Sequence, residues 1–556
     1  MIKQKHKVTT LLLAATMVSV IPATSVYATE KLPTKDGAIN NGIAYKGSFV
    51  ISAEPENNDE GVYFFNNDKY LKLEDISTSS EYNTYNNKYL KLSDNKDLFV
   101  DLTNGSITNN KLDDEAIDNA AMNLRNVIKA GIDNKDYRYD KEASKKVPTL
   151  NSIPNIKFSN DEWYETSYKS NSSVKDNINA PNYSLYTDAN GNYIDGDYSL
   201  GNLSVEVSSS TTSSATTLFI NNTKDTYTSS EDSSVYVTAN VKSEKVIGQD
   251  SNYIYRLAKI ELKPKNCEIK SINGRDISDE TNAFTINYNK SIFNLNSQTD
   301  ASISFNVIQK ISKKQSEKTI NGAKYSNSVS EYILSDENGK ISEDVQNFKN
   351  LLNDDDTIVL IKDSALIAYN KANKIIQKAS LDNSLKFDYV KVYSQISDEN
   401  ITDIDMDING DIWTIGKRLV SKFNIKNNSL DEVYNVDGDI NKLSVYSPKN
   451  ILTWSEDSDV YSLISSDTDE KESDVLTFGW IRNSDNSLSY NDFDGEKAIG
   501  WKKINDKTYY FSSLGIMQTG WVKDNKKWYY MNGDGCMVTD TTINGYTLGS
   551  DGALIS

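Results

Sequence analysis

The sequence predicts a mainly β, multidomain chain that ends in a β-hairpin solenoid. Three observations carry this. Apolar and polar residues alternate over many short segments, as half-buried strands require. Only one or two stretches show helical spacing. The last eighty or so residues repeat an aromatic pattern about every twenty residues, and a unit that short buries its apolar face only when copies stack. The expected segments are a signal peptide over 1–28, an N-terminal α+β region over 29–148 and a sandwich-like domain over 149–324. A propeller-like set of open sheets over 325–467 and the aromatic repeats over 474–556 complete the chain.

The first 28 residues read as a secretory signal. Lys3, Lys5 and Lys7 open it, an apolar stretch runs from about Val8 to Ile21, and Val26-Tyr27-Ala28 offers a cleavage site. The alternative, an N-terminal membrane anchor, needs a longer and less broken run. Cleavage leaves 528 residues and takes the formal charge from −19 to −22, because three lysines and no acids are removed. Such acidity disfavours nucleic acid and anionic lipid, and suits a cationic ligand or simple solubility.

Beyond the signal, the 69–73 and 88–92 segments both read Lys-Tyr-Leu-Lys-Leu and alternate as strands do. A helix is expected from about Asp113 to Ala130, with Ile117, Ala120, Ala121, Leu124, Val127 and Ile128 on one face and Gly131 at its end. Ile303, Phe305 and Val307 alternate with Ser302, Ser304 and Asn306, and 234–241 and 253–262 read likewise, which favours a sandwich. The Ser/Thr run over 208–217 reads as a linker, or equally as a polar hairpin or edge strand between Val205 and Phe219. Val345, Phe348 and Leu351 mark a short second helix. Trp413 and Trp454, about 40 residues apart, then mark propeller-like units. Two or three such units are too few to close a ring alone, so their edges must be covered by neighbours.

The sole histidine is His6, inside the signal. Ser-His-Asp and Cys-His hydrolysis, which need an imidazole to shuttle the proton, are thereby excluded, as are most zinc hydrolases. Carboxylate-pair glycoside hydrolysis stays open, although no acid pair stands out and the strand–helix alternation of an α/β barrel is missing. Cys267 and Cys536 do not make a disulfide framework. Asp405, Asp407, Asn409 and Asp411, with Gly410, have the oxygen spacing of a calcium loop. The twelfth position is Gly416, where a bidentate Glu is needed, so a strand-connecting turn is the better reading. Asp188, Asn190, Asn192, Asp195 and Asp197 form a second oxygen-rich loop, again read as a turn. No metal site, cofactor or catalytic residue is assigned.

The repeats carry the functional signal. Gly479-Trp480, Gly500-Trp501 and Gly520-Trp521 open three copies. Tyr509-Tyr510-Phe511 and Trp528-Tyr529-Tyr530 follow the second and third, and a degenerate copy holds Tyr546. Asp524-Asn525 offers a turn, so Trp521 and the Trp528 triplet face each other on a hairpin, with Trp528 and Tyr530 on one face and Tyr529 on the other. This pattern resembles the choline-binding or cell-wall-binding repeats of Gram-positive surface proteins, and related repeats of clostridial toxins that bind glycans. The resemblance covers about 80 of 556 residues.

The resemblance implies that aromatics between adjacent repeats line the ligand sites: Trp501, Tyr510, Trp521, Trp528 and Tyr530. Thr508 stands where the third copy has Trp528, so one wall after the second repeat is expected to be missing, leaving one or two competent sites. An aromatic cage suits a quaternary ammonium, whereas a sugar would stack on one ring. A purely structural solenoid is the plain alternative. The expected protein is exported, cell-wall-associated and non-catalytic, its partner a choline-bearing teichoic acid or a glycan, with no nucleic acid and no membrane insertion after cleavage. The competing classes are a wall- or glycan-degrading hydrolase docked by the same repeats, and a secreted host-directed toxin or lectin. Oligomeric state is left open.

Overall fold

The structure is a computed structural model. It describes residues 30–32, 34–54, 60–66, 69–74, 76–94, 97–109, 111–132, 137–174, 182–212, 214–277, 283, 285–287, 301–383, 388–465, 479–482, 488–491, 497–504, 507–512, 515–524, 527–543 and 545–555. The signal segment and Asn525 of the expected hairpin turn lie outside these residues. The chain divides into two compact units, 1–466 and 467–556. Both are built from strands, with two α-helices among the described residues. No helix there is long and apolar enough to cross a membrane.

Unit 1 is organised around a propeller-like set of antiparallel sheets. One holds Ile39–Tyr45, Ser48–Ala53, Gly61–Asn66 and Lys69–Leu73, and the next Glu81–Tyr85, Tyr89–Ser93, Asp97–Asp101 and Ile107–Thr108. A third pairs Asn151–Ser152, Trp163–Lys169, Asn182–Asp188 and Tyr193–Asp195. Strands over 403–435 and 442–465 supply two more, while those over 357–392 continue an 11-stranded sheet with Tyr236–Gln249, Tyr253–Lys265, Ser302–Ser312 and Val329–Ile333. Side chains staple neighbouring sheets together. Tyr45 donates to the Asn87 carbonyl (2.9 Å), and the Ala44 N–H donates to Ser444 (3.1 Å). The Leu443 and Val445 N–H groups donate to Asp403 (3.2 Å) and Asp405 (2.8 Å). Two N-terminal strands cover edges of the last two sheets. Glu30–Lys31 runs parallel to Ser429–Asn435, and Lys35–Asp36 antiparallel to Val460–Ser465.

The two Lys-Tyr-Leu-Lys-Leu segments take different places. Lys69–Leu73 is an outer edge strand with Leu71 exposed, whereas Tyr89–Ser93 is internal with Leu90 and Leu92 buried. A sandwich stands between the third and fourth sheets in sequence. Its long strands Tyr236–Gln249, Tyr253–Lys265 and Ser302–Ser312 pack against Ser199–Ser208, Thr216–Asn222 and Glu268–Ile272 through Val205, Ile260, Phe305 and their neighbours. The Ser/Thr run is the connection of a polar edge hairpin, with Val205 buried and Phe219 exposed.

The first helix spans Leu112–Gly131 and buries Ala120, Ala121, Leu124 and Ile128. Val127, expected on that face, is 45% exposed, because the buried stripe is only one residue wide at its C-terminal turn. The second helix, Glu343–Asn353, is capped by Ser342, which accepts from the Val345 N–H (3.3 Å), and buries Val345, Phe348, Leu351 and Leu352.

The oxygen-rich loops are turns. Asp407 accepts from the Asn409 (2.8 Å) and Asp411 (3.0 Å) N–H groups and from the Trp413 indole (3.0 Å), with Gly410 at φ +71°. Asp188 does the same for Asn190 and Asn192. Carboxylate oxygens spent this way are poorly placed to encircle a cation. Asp195 and Asp197 instead hold the buried Arg138 (2.6 Å) and Arg256 (2.8 Å).

Glu331 lies fully buried beside this network, and Gln309 donates to it (2.7 Å). Burial pushes its carboxyl from the ordinary 4.5 up to about 7, against hydrogen bonding by Gln309 and the charge of Arg256. A carboxyl raised in the folded state contributes stability that is full below its unfolded pKa and lost as pH rises through the folded one. Unit 1 is therefore expected to lose up to about 3 kcal/mol between pH 5 and 8 from this group. Glu331→Gln should flatten that part of the decline in a calorimetric pH series.

Candidate functional site

Unit 2 is a row of hairpins: Gly479–Arg482 with Leu488–Asn491, Gly500–Ile504 with Lys507–Phe511, Gly520–Asp524 with Lys527–Met531, and Thr541–Ile543 with Tyr546–Leu548. Gly500 and Gly520 precede the tryptophans at φ +72° and +76°, a left-handed backbone that residues with a Cβ adopt only at a cost. The connections after each hairpin lie back on earlier ones. The Met517, Met537 and Leu554 N–H groups donate to the carbonyls of Leu488 (2.7 Å), Thr508 (2.7 Å) and Trp528 (2.8 Å). Gly535 and Gly552 sit where a Cβ would collide with Met517 and Met537, so the stack is tight at those points.

Cross-strand register sets the aromatic geometry. Trp501 faces Tyr510 and Trp521 faces Tyr530. Stacking then brings a ring from the following hairpin. Trp501 meets Tyr510 at 4.9 Å and Tyr529 at 4.6 Å, both at 72°. Trp521 meets Tyr530 at 5.2 Å and 69°, and Tyr546 at 5.5 Å and 79°. The result is two corners, each a tryptophan flanked by two tyrosines, with every ring half-buried except the exposed Tyr546. Such walls present π-faces to a ligand that enters between hairpins, and a quaternary ammonium gains roughly 1–2 kcal/mol per well-placed ring. The Trp501 indole donates to Asp524 (3.0 Å), which fixes its orientation and sets a carboxylate beside the first corner.

At Trp480 the same arrangement is filled in. Tyr490 and Tyr509 flank it at 5.4 and 4.9 Å, Phe511 adds a third ring at 5.8 Å, and Tyr509 and Phe511 are buried in a small core with Ala498 and Ile504.

Of the five residues singled out from the sequence, Trp501 with Tyr510 and Trp521 with Tyr530 come together as pairs. Trp528 takes part in no ring pair among the described residues. It is 41% exposed, and the Lys523 ammonium sits 5.5 Å from its ring centroid. Thr508, at the matching position of the previous copy, thus removes no ring from the Trp501 corner. Tyr529 and Tyr546 are the rings that sequence reasoning did not select. Their signal is the repeat itself, since Tyr509 meets Trp480 as Tyr529 meets Trp501. Cys267 and Cys536 are both free thiols.

Residues 498–541, which span both corner-bearing hairpins, match the family described as the choline-binding repeat. No curated protein sequence matches the chain. Solved structures similar to it include the choline-binding domain of Spr1274 from Streptococcus pneumoniae, at 31% identity over 15% of this chain and 99% of that one, with a TM-score of 0.14. The choline-binding domain of CbpL from Streptococcus pneumoniae is 23% identical over 26% and 85% of the two chains, TM-score 0.14. The multimodular pneumococcal cell-wall endolysin from phage Cp-1, solved with choline, is 26% identical over 20% and 32%, TM-score 0.13. The chain thus spans about a third of that endolysin's length.

Proposed function

Because its residues 498–541 are choline-binding repeats, we propose that this is an exported, non-catalytic surface protein held on the cell envelope by those repeats. Its partner is a choline-bearing wall polymer. The observation that carries this is the pair of Trp–Tyr–Tyr corners at Trp501 and Trp521, repeated at the spacing of the hairpins. Each corner takes one trimethylammonium group. Two corners on one chain engage two groups of a polymer, so retention exceeds the affinity of either.

The competing reading, a hydrolase docked by the same repeats, would draw on Asp403 and Asp405, which line a cavity in unit 1. Burial pushes the Asp403 carboxyl above the usual range, as a general acid needs. Yet Asp403 accepts from Lys371 (2.8 Å) and the Leu443 N–H, and Asp405 from Lys157 (2.8 Å) and the Val445 N–H. Carboxylates that staple one sheet to the next in this way are not free to approach a glycosidic bond. We assign them as structural.

Sedimentation of the chain with purified Gram-positive walls tests the proposal. Co-sedimentation that excess choline releases is the expected outcome. Binding that ignores choline would transfer the corners to glycan recognition, and no binding would reduce the repeats to a structural solenoid.

A further inference from the structure

The strands of unit 1 line a cavity of about 580 Å³. Its wall draws on six parts of the fold: residues 40–43, 82–84, 157, 358–371, 403–406 and 442–456. Three lysines reach this wall, and each is paired. Lys157 holds Asp405 at 2.8 Å, Lys371 holds Asp403 at 2.8 Å, and Lys442 holds Glu456 at 3.1 Å. The wall is thus rich in polar atoms but electrically balanced, so neither a phosphate nor an ammonium finds an unopposed countercharge there.

Two lining residues carry buried polar atoms without a protein partner. The Trp454 indole Nε1–H is one, on a side chain that is only 5% exposed, and the Tyr82 hydroxyl is the other. Both atoms are closed off from the cavity, so recognition falls to the neutral groups that face it. Asn40, Asn83 and Thr84 add neutral groups that both donate and accept, as a hydroxyl does. Tyr369 and Ile404 contribute apolar surface.

From this combination we infer that the cavity is a second ligand site, which takes a neutral carbohydrate of one or two rings. A sugar has a rim of hydroxyls that exchange hydrogen bonds with amides and a threonine hydroxyl. It also has apolar C–H faces for the remaining wall, and no charge to upset the three ion pairs. The volume is within the usual range for a small-molecule site. Unit 1 is then itself a binding unit, and the protein grips two chemistries: quaternary ammonium at the repeats and neutral sugar in this cavity.

The test is calorimetric titration of the full chain, with choline present at saturation so that the repeats are silent. The probes are chitobiose, cellobiose and maltose, with inorganic phosphate as the charged control. At least one disaccharide is expected to bind at one site per chain, and phosphate is expected neither to bind nor to compete. Asn83→Ala and Thr84→Val each remove one hydrogen-bonding group from the cavity wall. Each is expected to weaken the disaccharide about tenfold, with choline release from walls and the melting temperature of the free protein unchanged. Binding of none of the three disaccharides at millimolar concentration overturns the inference. So does disaccharide binding that both variants leave intact. Loss of choline-released wall binding, with disaccharide binding retained, would strike the proposed function of the repeats and leave this site standing.

Discussion

Replacing Arg256 by methionine is expected to destabilise unit 1 by about 3–5 kcal/mol, the largest single-residue effect in the molecule. Arg256 lies in the middle of Tyr253–Lys265, with its side chain fully buried. It donates to Asp197 (2.8 Å), the Gly196 carbonyl (2.6 Å), the Tyr186 hydroxyl (3.2 Å) and Gln309. These acceptors belong to two bodies of the fold. Gln309 is a sandwich residue, while Tyr186, Gly196 and Asp197 lie in or just after the sheet over 151–195. The guanidinium therefore joins the sandwich to the sheets around it.

Methionine would restore much of the volume but leave Asp197 as a buried, uncompensated charge and three further acceptors unmet. That is the expensive way to break such a pair, because the desolvation cost of the surviving partner is paid in full. Differential scanning calorimetry should find the unit 1 transition lowered by about 3–6 °C. Arg256→Lys should recover little, since an ammonium cannot reach four acceptors in a plane. Arg256→Met combined with Asp197→Asn should recover part of the loss by removing the stranded charge. If the single variant melts where the parent does, the network is decorative and the junction is held by apolar packing alone.

How far the sequence disclosed all this depends on how local each signal is. The repeats were legible because their unit is short, their turns use glycine, and Trp501–Tyr510 and Trp521–Tyr530 are cross-strand partners within one hairpin. Tyr529 and Tyr546 were not, because what brings them to Trp501 and Trp521 is the offset between stacked hairpins, which no single unit encodes. The assembly in unit 1 was hidden for a similar reason. Its sheets come from 39–108, 151–195 and 403–465, interrupted by the sandwich and the strands over 357–392 that continue its long sheet, and one edge strand, Lys35–Asp36, pairs more than 400 positions away with Val460–Ser465. The Lys-Tyr-Leu-Lys-Leu pairs show the limit of local resemblance. Identical strings serve as an outer edge in one sheet and an inner strand in the next, because burial is set by the neighbouring sheet and not by the string. Lys157 and Asp405 could not be linked by any pattern, since a staple between sheets leaves no periodicity.

Changing Trp501 and Trp521 together to alanine should abolish retention on choline-bearing walls. Each tryptophan is the one ring common to both tyrosine contacts of its corner, so its loss opens the corner rather than thinning it. With roughly 1–2 kcal/mol per ring, a single change should cost about tenfold at its own site. Because two corners on one chain act on one polymer, the double change should cost on the order of a hundred- to ten-thousandfold in retention. Phenylalanine at both positions keeps a π-face and should retain partial binding, which separates loss of the ring from collapse of the stack. Asp524→Ala should weaken only the first corner, by freeing the indole of Trp501 that Asp524 now holds. The decisive control is Trp528→Ala. Trp528 stands outside both corners with Lys523 over its face, so its removal should leave choline-released sedimentation nearly unchanged. If instead Trp528→Ala releases the protein and the double tryptophan variant stays bound, the ligand sits on the outer face of the third hairpin, and the corners are the solenoid's core.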